Sequence, residues 1–180
     1  MIFELFSEGR ILLWIQANLR NDFLNAVFIP FTHLGDIGII WFGLGIFFLL
    51  FKNTRKGAFF ALISFGLSAL ICDGFLKLIV NRLRPFDAIP ELMELVERPK
   101  GTSFPSGHTT TAFGFSVAFL LNTKKRWTGW LVLAIAVLMG FSRLYVGVHY
   151  PSDVVSGLVV GSAVACIVTF VGNKILVRSH

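Results

Sequence analysis

Five stretches of this 180-residue chain, Ile37–Phe51, Gly57–Ile71, Thr109–Leu121, Trp127–Ser142 and Val154–Gly172, contain no Asp, Glu, Lys or Arg. Their lengths approach the roughly 20 residues that a helix needs to cross a hydrocarbon layer. In such a layer every backbone N–H and C=O must find its partner within the chain, which for segments of this kind leaves the helix. Hydrophobic residues make up 55% of the chain, above the roughly 45–50% of a soluble domain. The chain therefore reads as all-α, a polytopic membrane helical bundle forming one domain over residues 1–180.

About six transmembrane helices are expected, over residues 23–34, 37–51, 57–80, 107–121, 127–144 and 152–177. The first is the weakest. Phe23–Leu34 has twelve residues, about 18 Å of helix, and five crossings plus a re-entrant piece is the alternative. Ahead of it, Ile2–Leu19 is apolar but broken by Glu4, Glu8, Arg10, Gln16 and Asn18. It reads as an N-terminal interfacial helix within residues 1–20, with Trp14 at headgroup depth and the bundle following over 21–180. The start lacks a basic region and a small-residue cleavage site, so no signal peptide is read there. Cys72 and Cys166 both lie in apolar segments and read as packed small side chains rather than a disulfide or metal pair.

The formal net charge of +6 sits mostly at the ends of the apolar runs, which points to membrane orientation and away from nucleic acid. The loops Lys52–Lys56 and Asn122–Arg126, with Lys174 and Arg178, hold eight Lys/Arg and no acid. The segment Asn81–Phe104 on the other side balances its bases with Asp87, Glu91, Glu94 and Glu97. An excess of Lys/Arg marks the cytoplasmic side. An integral protein of the plasma membrane is expected, with both termini cytoplasmic and the long segment facing out.

Three polar clusters then share the outer face: Lys77 with Asn81, Arg82, Arg84 and Pro85; Pro105–His108; and Ser142–Asp153. Each has a plain explanation. Lys77 and Arg84 can snorkel, Ser106 can cap a helix, and Asp153 can sit in a first turn behind Pro151. Together they say more. His149 and Asp153 are four apart across a helix start, so the carboxylate can hold one ring nitrogen and leave the other as base or nucleophile. His108 arrives on another helix and can protonate a leaving group. Lys77, Arg84 and Arg143 can hold oxyanions, and the amides of Gly107 and His108 open a positive helix end. This is a phosphoryl-transfer set with no carboxylate cluster for a metal and no cofactor called for.

The segments "KLIVNRLRP" (Lys77–Pro85), "PSGH" (Pro105–His108) and "SRLYVGVHYPSD" (Ser142–Asp153) resemble, position by position, the three signature motifs of the phosphatidic acid phosphatase type 2 superfamily. The resemblance implies in-line attack of His149 on phosphorus, a phosphohistidine intermediate, orientation by Asp153 and proton transfer by His108. It implies phosphate binding by Lys77, Arg84, Ser106, Gly107, Ser142 and Arg143, without a metal. Asp73, one turn before Lys77, is expected to orient it. His33 and Asp36 read first as a solvated turn, with a place lining the site as the alternative, and "GLVVG" (Gly157–Gly161) as close helix packing.

The expected partner is an amphiphile in the surrounding membrane lipid, with its phosphate at the membrane face. Undecaprenyl diphosphate is the first choice; phosphatidylglycerophosphate, phosphatidic acid and lipid A phosphates follow. A lipid phosphotransferase and a non-enzymatic lipid transporter are the alternatives of another class. Soluble haloperoxidases share the residue set, but not this hydrophobicity.

Overall fold

The structure is a computed structural model that describes residues 2–178, with side chains described for residues 8–175. The side chains of Glu4 and Arg178 lie outside these. The described residues are helical or irregular: α1 (Ile2–Asn18), α2 (Asp22–His33), a 3₁₀ turn (Asp36–Gly38), α3 (Ile39–Leu49), α4 (Arg55–Ile71), a π turn (Cys72–Leu76), α5 (Lys77–Ile79), α6 (Pro85–Ala88), α7 (Gly107–Asn122), α8 (Arg126–Tyr145) and α9 (Pro151–Arg178). Local chemistry accounts for the boundaries. Asn21 caps α2, its Oδ1 accepting the Leu24 N–H at 3.0 Å, with Asp22 in the first turn. Pro85 opens α6 at a position where its missing N–H costs nothing.

Helix α7 runs through the middle, packed on α4, α8 and α9. The core around it holds Trp41, Phe65, Phe115, Phe119, Val132 and Met139, with the Trp41 and Phe115 rings 5.4 Å apart. Outward-facing Phe42, Ile46, Phe59, Ile63, Trp130, Leu131, Val159 and Ile167 are exposed. Helices apolar on every side suit burial in lipid. Three of them, Arg55–Ile79, Arg126–Tyr145 and Pro151–Ile175, are long and apolar enough to cross a membrane by themselves, and α2 with the 3₁₀ turn and α3 would make a fourth, bent by 61°.

The six expected crossings are not borne out by these three or four, and α2 is one of the segments that fall short. Near its start, Asn25 Oδ1 accepts from Tyr145 Oη at 2.8 Å. Near its end, Thr32 Oγ1 accepts from Arg143 Nη1 at 2.5 Å. Both contacts lie in the last turn of α8, so α2 stays at one end of the bundle. Twelve residues span only about 18 Å.

Helix α1 lies at that same end. Leu12 packs on Leu92 and Tyr150, while Ile15 packs with Phe86, Tyr145, Val146 and Val148. Trp14 is exposed on its outer side. The two basic loops meet at the opposite end, where Lys124 N donates to Asn53 O at 3.0 Å, and α9 runs towards them, Asn173 Nδ2 reaching Asn122 Oδ1 at 3.3 Å. The α1 end of the described chain thus lies at the site end, and α9 runs towards the other. Cys72 is buried but Cys166 is exposed on α9, and both are free thiols.

The close helix packing expected of Gly157 and Gly161 is present. A Cβ at Gly157 would lie 2.9 Å from the Ser106 carbonyl oxygen, and one at Gly161 would lie 2.8 Å from Gly114 N and closer still to Thr110 O. These contacts are with backbone, which cannot step aside, and they seat α9 on the first turns of α7. Gly161→Ala is expected to destabilise the protein by about 1–3 kcal/mol through overpacking. Thermal unfolding in detergent checks this, with Gly43→Ala as the neutral control because a Cβ there meets nothing within 4 Å.

Candidate active site

Asp153 is the fixed point of the site end. It is fully buried in the first turn of α9, and its backbone carbonyl accepts the Ser106 N–H at 3.1 Å, tying the start of α7 to the start of α9. Its Oδ2 accepts from Ser103 Oγ at 2.6 Å and from Tyr150 N at 2.8 Å. Its Oδ1 accepts from Arg82 Nη1 at 2.7 Å. Arg82 in turn reaches Glu8 Oε2 of α1 at 2.6 Å and lies 4.1 Å from the centre of the Tyr150 ring. A buried carboxylate needs partners of this number and strength.

His149 stands in the turn between α8 and α9 with Nδ1 3.5 Å from Asp153 Oδ2 and Nε2 3.5 Å from Arg84 Nη1. Burial pushes its pKa down to about 3, and the charges of Arg143 and Arg84 press the same way against the opposing pull of Asp153. The ring is neutral at neutral pH, with a nitrogen turned towards a guanidinium that can hold an anion.

The cations converge from three elements. Arg84 is almost wholly buried, held by the carbonyls of Val148 at 3.1 Å and Gly101 at 3.0 Å. Arg143 is equally buried. Its Nη1 donates to Thr32 Oγ1, while its Nε is buried without a protein partner. Its charge bears on both His108 and His149. Lys77 pairs with Asp73 at 2.7 Å, as the i,i+4 spacing predicts, across the π turn. Helix α7 begins beside this pair: a Cβ on Gly107 would lie 3.5 Å from Lys77 Nζ and 3.6 Å from Asp73 Oδ1. Ser106 is the cap of α7, its Oγ accepting from Thr109 Oγ1 at 2.9 Å and Thr109 N at 3.4 Å. The first N–H groups of α7 have no partner within the helix.

Two residues have partners that local spacing does not show. Ser142 Oγ donates to Met139 O at 2.7 Å and lies 3.1 Å from Thr32 Oγ1. It braces Thr32, which accepts from Arg143. Asp36 is half-exposed in its turn but also lines the site, since its Oδ1 lies 3.0 Å from His108 Nε2 and its Oδ2 2.8 Å from His33 Nδ1. Thr32, Ser103, Arg82 and Glu8 were not singled out. Arg82 stood in the first polar cluster and was the one legible of the four. Ser103, Thr32 and Glu8 sit in no periodic pattern and lie 50, 111 and 74 residues from the groups they touch.

The arrangement offers an oriented neutral imidazole, a second imidazole paired with a carboxylate, and two buried guanidiniums. An ammonium and a helix N-terminus complete it. It can bind a phosphate and attack it. Among the described residues no three His, Cys, Asp or Glu side chains come together as a metal-ligand group.

Comparison with known proteins agrees with this chemistry. Residues 57–175, which hold all three motifs, match the pattern described as PAP2 superfamily. An undecaprenyl-diphosphatase of Sulfolobus acidocaldarius is 37% identical over 123 residues, covering 68% of this chain and 59% of its own length, so the chain spans under two thirds of that relative. A lipid A 4'-phosphatase of Bacteroides thetaiotaomicron is 30% identical over 152 residues, covering 78% of this chain and 68% of its own. The crystal structure of a transmembrane PAP2-type phosphatidylglycerolphosphate phosphatase from Bacillus subtilis superposes with a TM-score of 0.74 at 28% identity, over 94% of this chain and 86% of that one. With the motifs in order, their side chains gathered at one end of an apolar bundle and the match running through both, the chain belongs to the PAP2 superfamily.

Proposed function

We propose that the protein is a metal-independent membrane lipid phosphatase acting through a phosphohistidine. The observation that carries the reading is the setting of His149. Asp153, itself held by Ser103, Tyr150 N and Arg82, stands on the Nδ1 side, and Nε2 is turned to Arg84. The Nε2 lone pair attacks phosphorus and the P–O bond to the leaving group breaks, its electron pair going to oxygen. His108 supplies the proton that neutralises the departing oxygen. Water then attacks the phosphohistidine, His108 accepts its proton, the P–N bond breaks, and phosphate leaves with His149 neutral again. Arg84, Arg143, Lys77 and the amides of Gly107 and His108 hold the phosphate oxygens as charge moves onto them. Asp73 orients Lys77, and Ser106 shapes the turn that presents the amides.

For substrate we take undecaprenyl diphosphate, supported by a relative that bears that name. Lipid A and phosphatidylglycerophosphate are second readings, supported by the names of the other two. A site at the bundle end suits an amphiphile whose head sits at the interface. The gathering of Lys52–Lys56 and Asn122–Arg126 at the opposite end supports a site on the extracytoplasmic face.

Phosphate release by the purified protein from these three lipids tests the reading. His149→Ala is expected to reduce the rate by at least about 10³-fold, the scale seen when a nucleophile is removed, with the thermal midpoint kept; wild-type release would remove His149 from the role. Activity is expected to persist in EDTA, and loss restored only by Mg²⁺ would overturn the metal-free mechanism. Histidine-selective NMR, with His149 identified by its variant, is expected to show no titration of that ring between about pH 5 and 8, where an ordinary histidine changes charge. A midpoint near 6.5 would contradict the burial argument.

A further inference from the structure

The 3₁₀ turn between α2 and α3 is the most constrained piece of backbone at the site end. Ile37 has φ 55° and Gly38 φ 74°, a left-handed pair in which the first residue is β-branched and strongly disfavours that region. Ile37 gains nothing by burial there, since its side chain is 91% exposed. Gly35, two residues before it, runs so close to the His108 ring that a Cβ would collide with Cδ2, and would lie 2.8 Å from Met139 Sδ. The product of this bent path is the placement of one side chain, Asp36, between two histidines: Oδ1 on His108 Nε2 at 3.0 Å and Oδ2 on His33 Nδ1 at 2.8 Å. His33 is half-exposed and His108 largely buried. The other charges that act on His108 are the cations Arg143 of α8 and Lys77 of α5.

We propose that Asp36 is a positioning residue for His108, a carboxylate on the second histidine that matches Asp153 on the first. The inference rests on the reading of His108 as the group that protonates the leaving oxygen. An acid must hold its proton until the P–O bond breaks and must aim its ring at that oxygen. Burial and two neighbouring cations oppose the first requirement. A carboxylate in hydrogen-bond contact favours the protonated imidazole and fixes the ring. His33 anchors the carboxylate from its other oxygen, and the strained Ile37–Gly38 pair holds the turn against the His108 ring. Local strain of this kind is kept where the surrounding structure imposes it, typically at functional positions.

The test uses the full-length protein in detergent, in excess over substrate, so that the first release of leaving group is read apart from hydrolysis of the intermediate. Decyl phosphate, whose alkoxide needs a proton to leave, is compared with 4-nitrophenyl phosphate, whose phenolate does not. Asp36→Asn is expected to slow release of decanol by about 10- to 100-fold, a part of the 10²–10⁴ typical of general acid catalysis, while release of 4-nitrophenol changes by less than about threefold. Asp36→Glu is expected to recover part of the loss, and the thermal midpoint of each variant reports on folding. His108→Ala is run beside them and is expected to show the same dependence on leaving group. If His108→Ala shows it and Asp36→Asn slows both substrates alike or neither, the proposal for Asp36 is overturned. If His108→Ala itself does not discriminate, the assignment of His108 as the acid fails, and the role of Asp36 with it.

Discussion

The buried carboxylate of Asp153 is the interaction on which the site end depends. An ionised carboxyl group without partners in such a place would cost several kcal/mol after relaxation. Here it is met by a guanidinium, a hydroxyl and a backbone N–H, each from a different stretch of chain: Arg82 and Ser103 from either end of the long segment before α7, and Tyr150 from the turn before α9. Its own carbonyl carries the link to Ser106. Through Arg82 the network extends to Glu8 of α1. One charge therefore locates the turn of His149, the cap of α7, the loop that carries Arg84 and the N-terminal helix. Its solvation has been replaced by groups that must all be present together.

The apolar bundle supplies the frame for this network. Gly157 and Gly161 bring α9 against the backbone of α7 near its start, at the level where Ser106 meets Asp153. Close approach of two helices in lipid is driven by van der Waals fit, and small residues are what permit it. The π turn at Cys72–Leu76 widens the end of α4 where Asp73 and Lys77 pair. π turns of this sort recur at functional positions because the extra residue re-aims side chains. On the far side, the left-handed Ile37–Gly38 pair, which costs on the order of 1–3 kcal/mol per disfavoured residue, turns Asp36 towards His108. The bundle stores its irregularities at the end where the polar groups gather.

Much of this was legible before any coordinates. His149 and Asp153 are four residues apart, as are Asp73 and Lys77, and a helical period places each pair within reach. The convergence of Lys77, Arg84, Arg143, His108 and His149 followed from alternating apolar runs and turns, without knowledge of packing. Asp36 was placed in water first and at the site second, because a His-x-x-Asp turn between apolar runs looks the same whether it faces water or a histidine 72 residues away. The partners of Ser142 were not legible, because motif membership does not say what a hydroxyl on a helix end bonds to. The number of crossings was overcounted in part by treating α2 as a span when its length was marginal. Whether a twelve-residue apolar helix crosses or lies at one end is settled by what its polar residues bond to.

The sequence by itself determined the fold class, the order of the membrane helices and the family, because hydrocarbon tolerates so few backbone solutions that uncharged runs of this length can be read one way. It also determined the His149–Asp153 and Asp73–Lys77 pairs, because they are local and helical geometry is periodic. The tertiary structure decided which end of the bundle α1 and α2 occupy, which groups neutralise Asp153, and that His108 has a carboxylate of its own. Apart from the Tyr150 N–H, those contacts join residues 50 to 120 positions apart, and nothing in a local pattern encodes them. They are selected by the cost of leaving a buried charge unpaired, which is felt only once the helices have met.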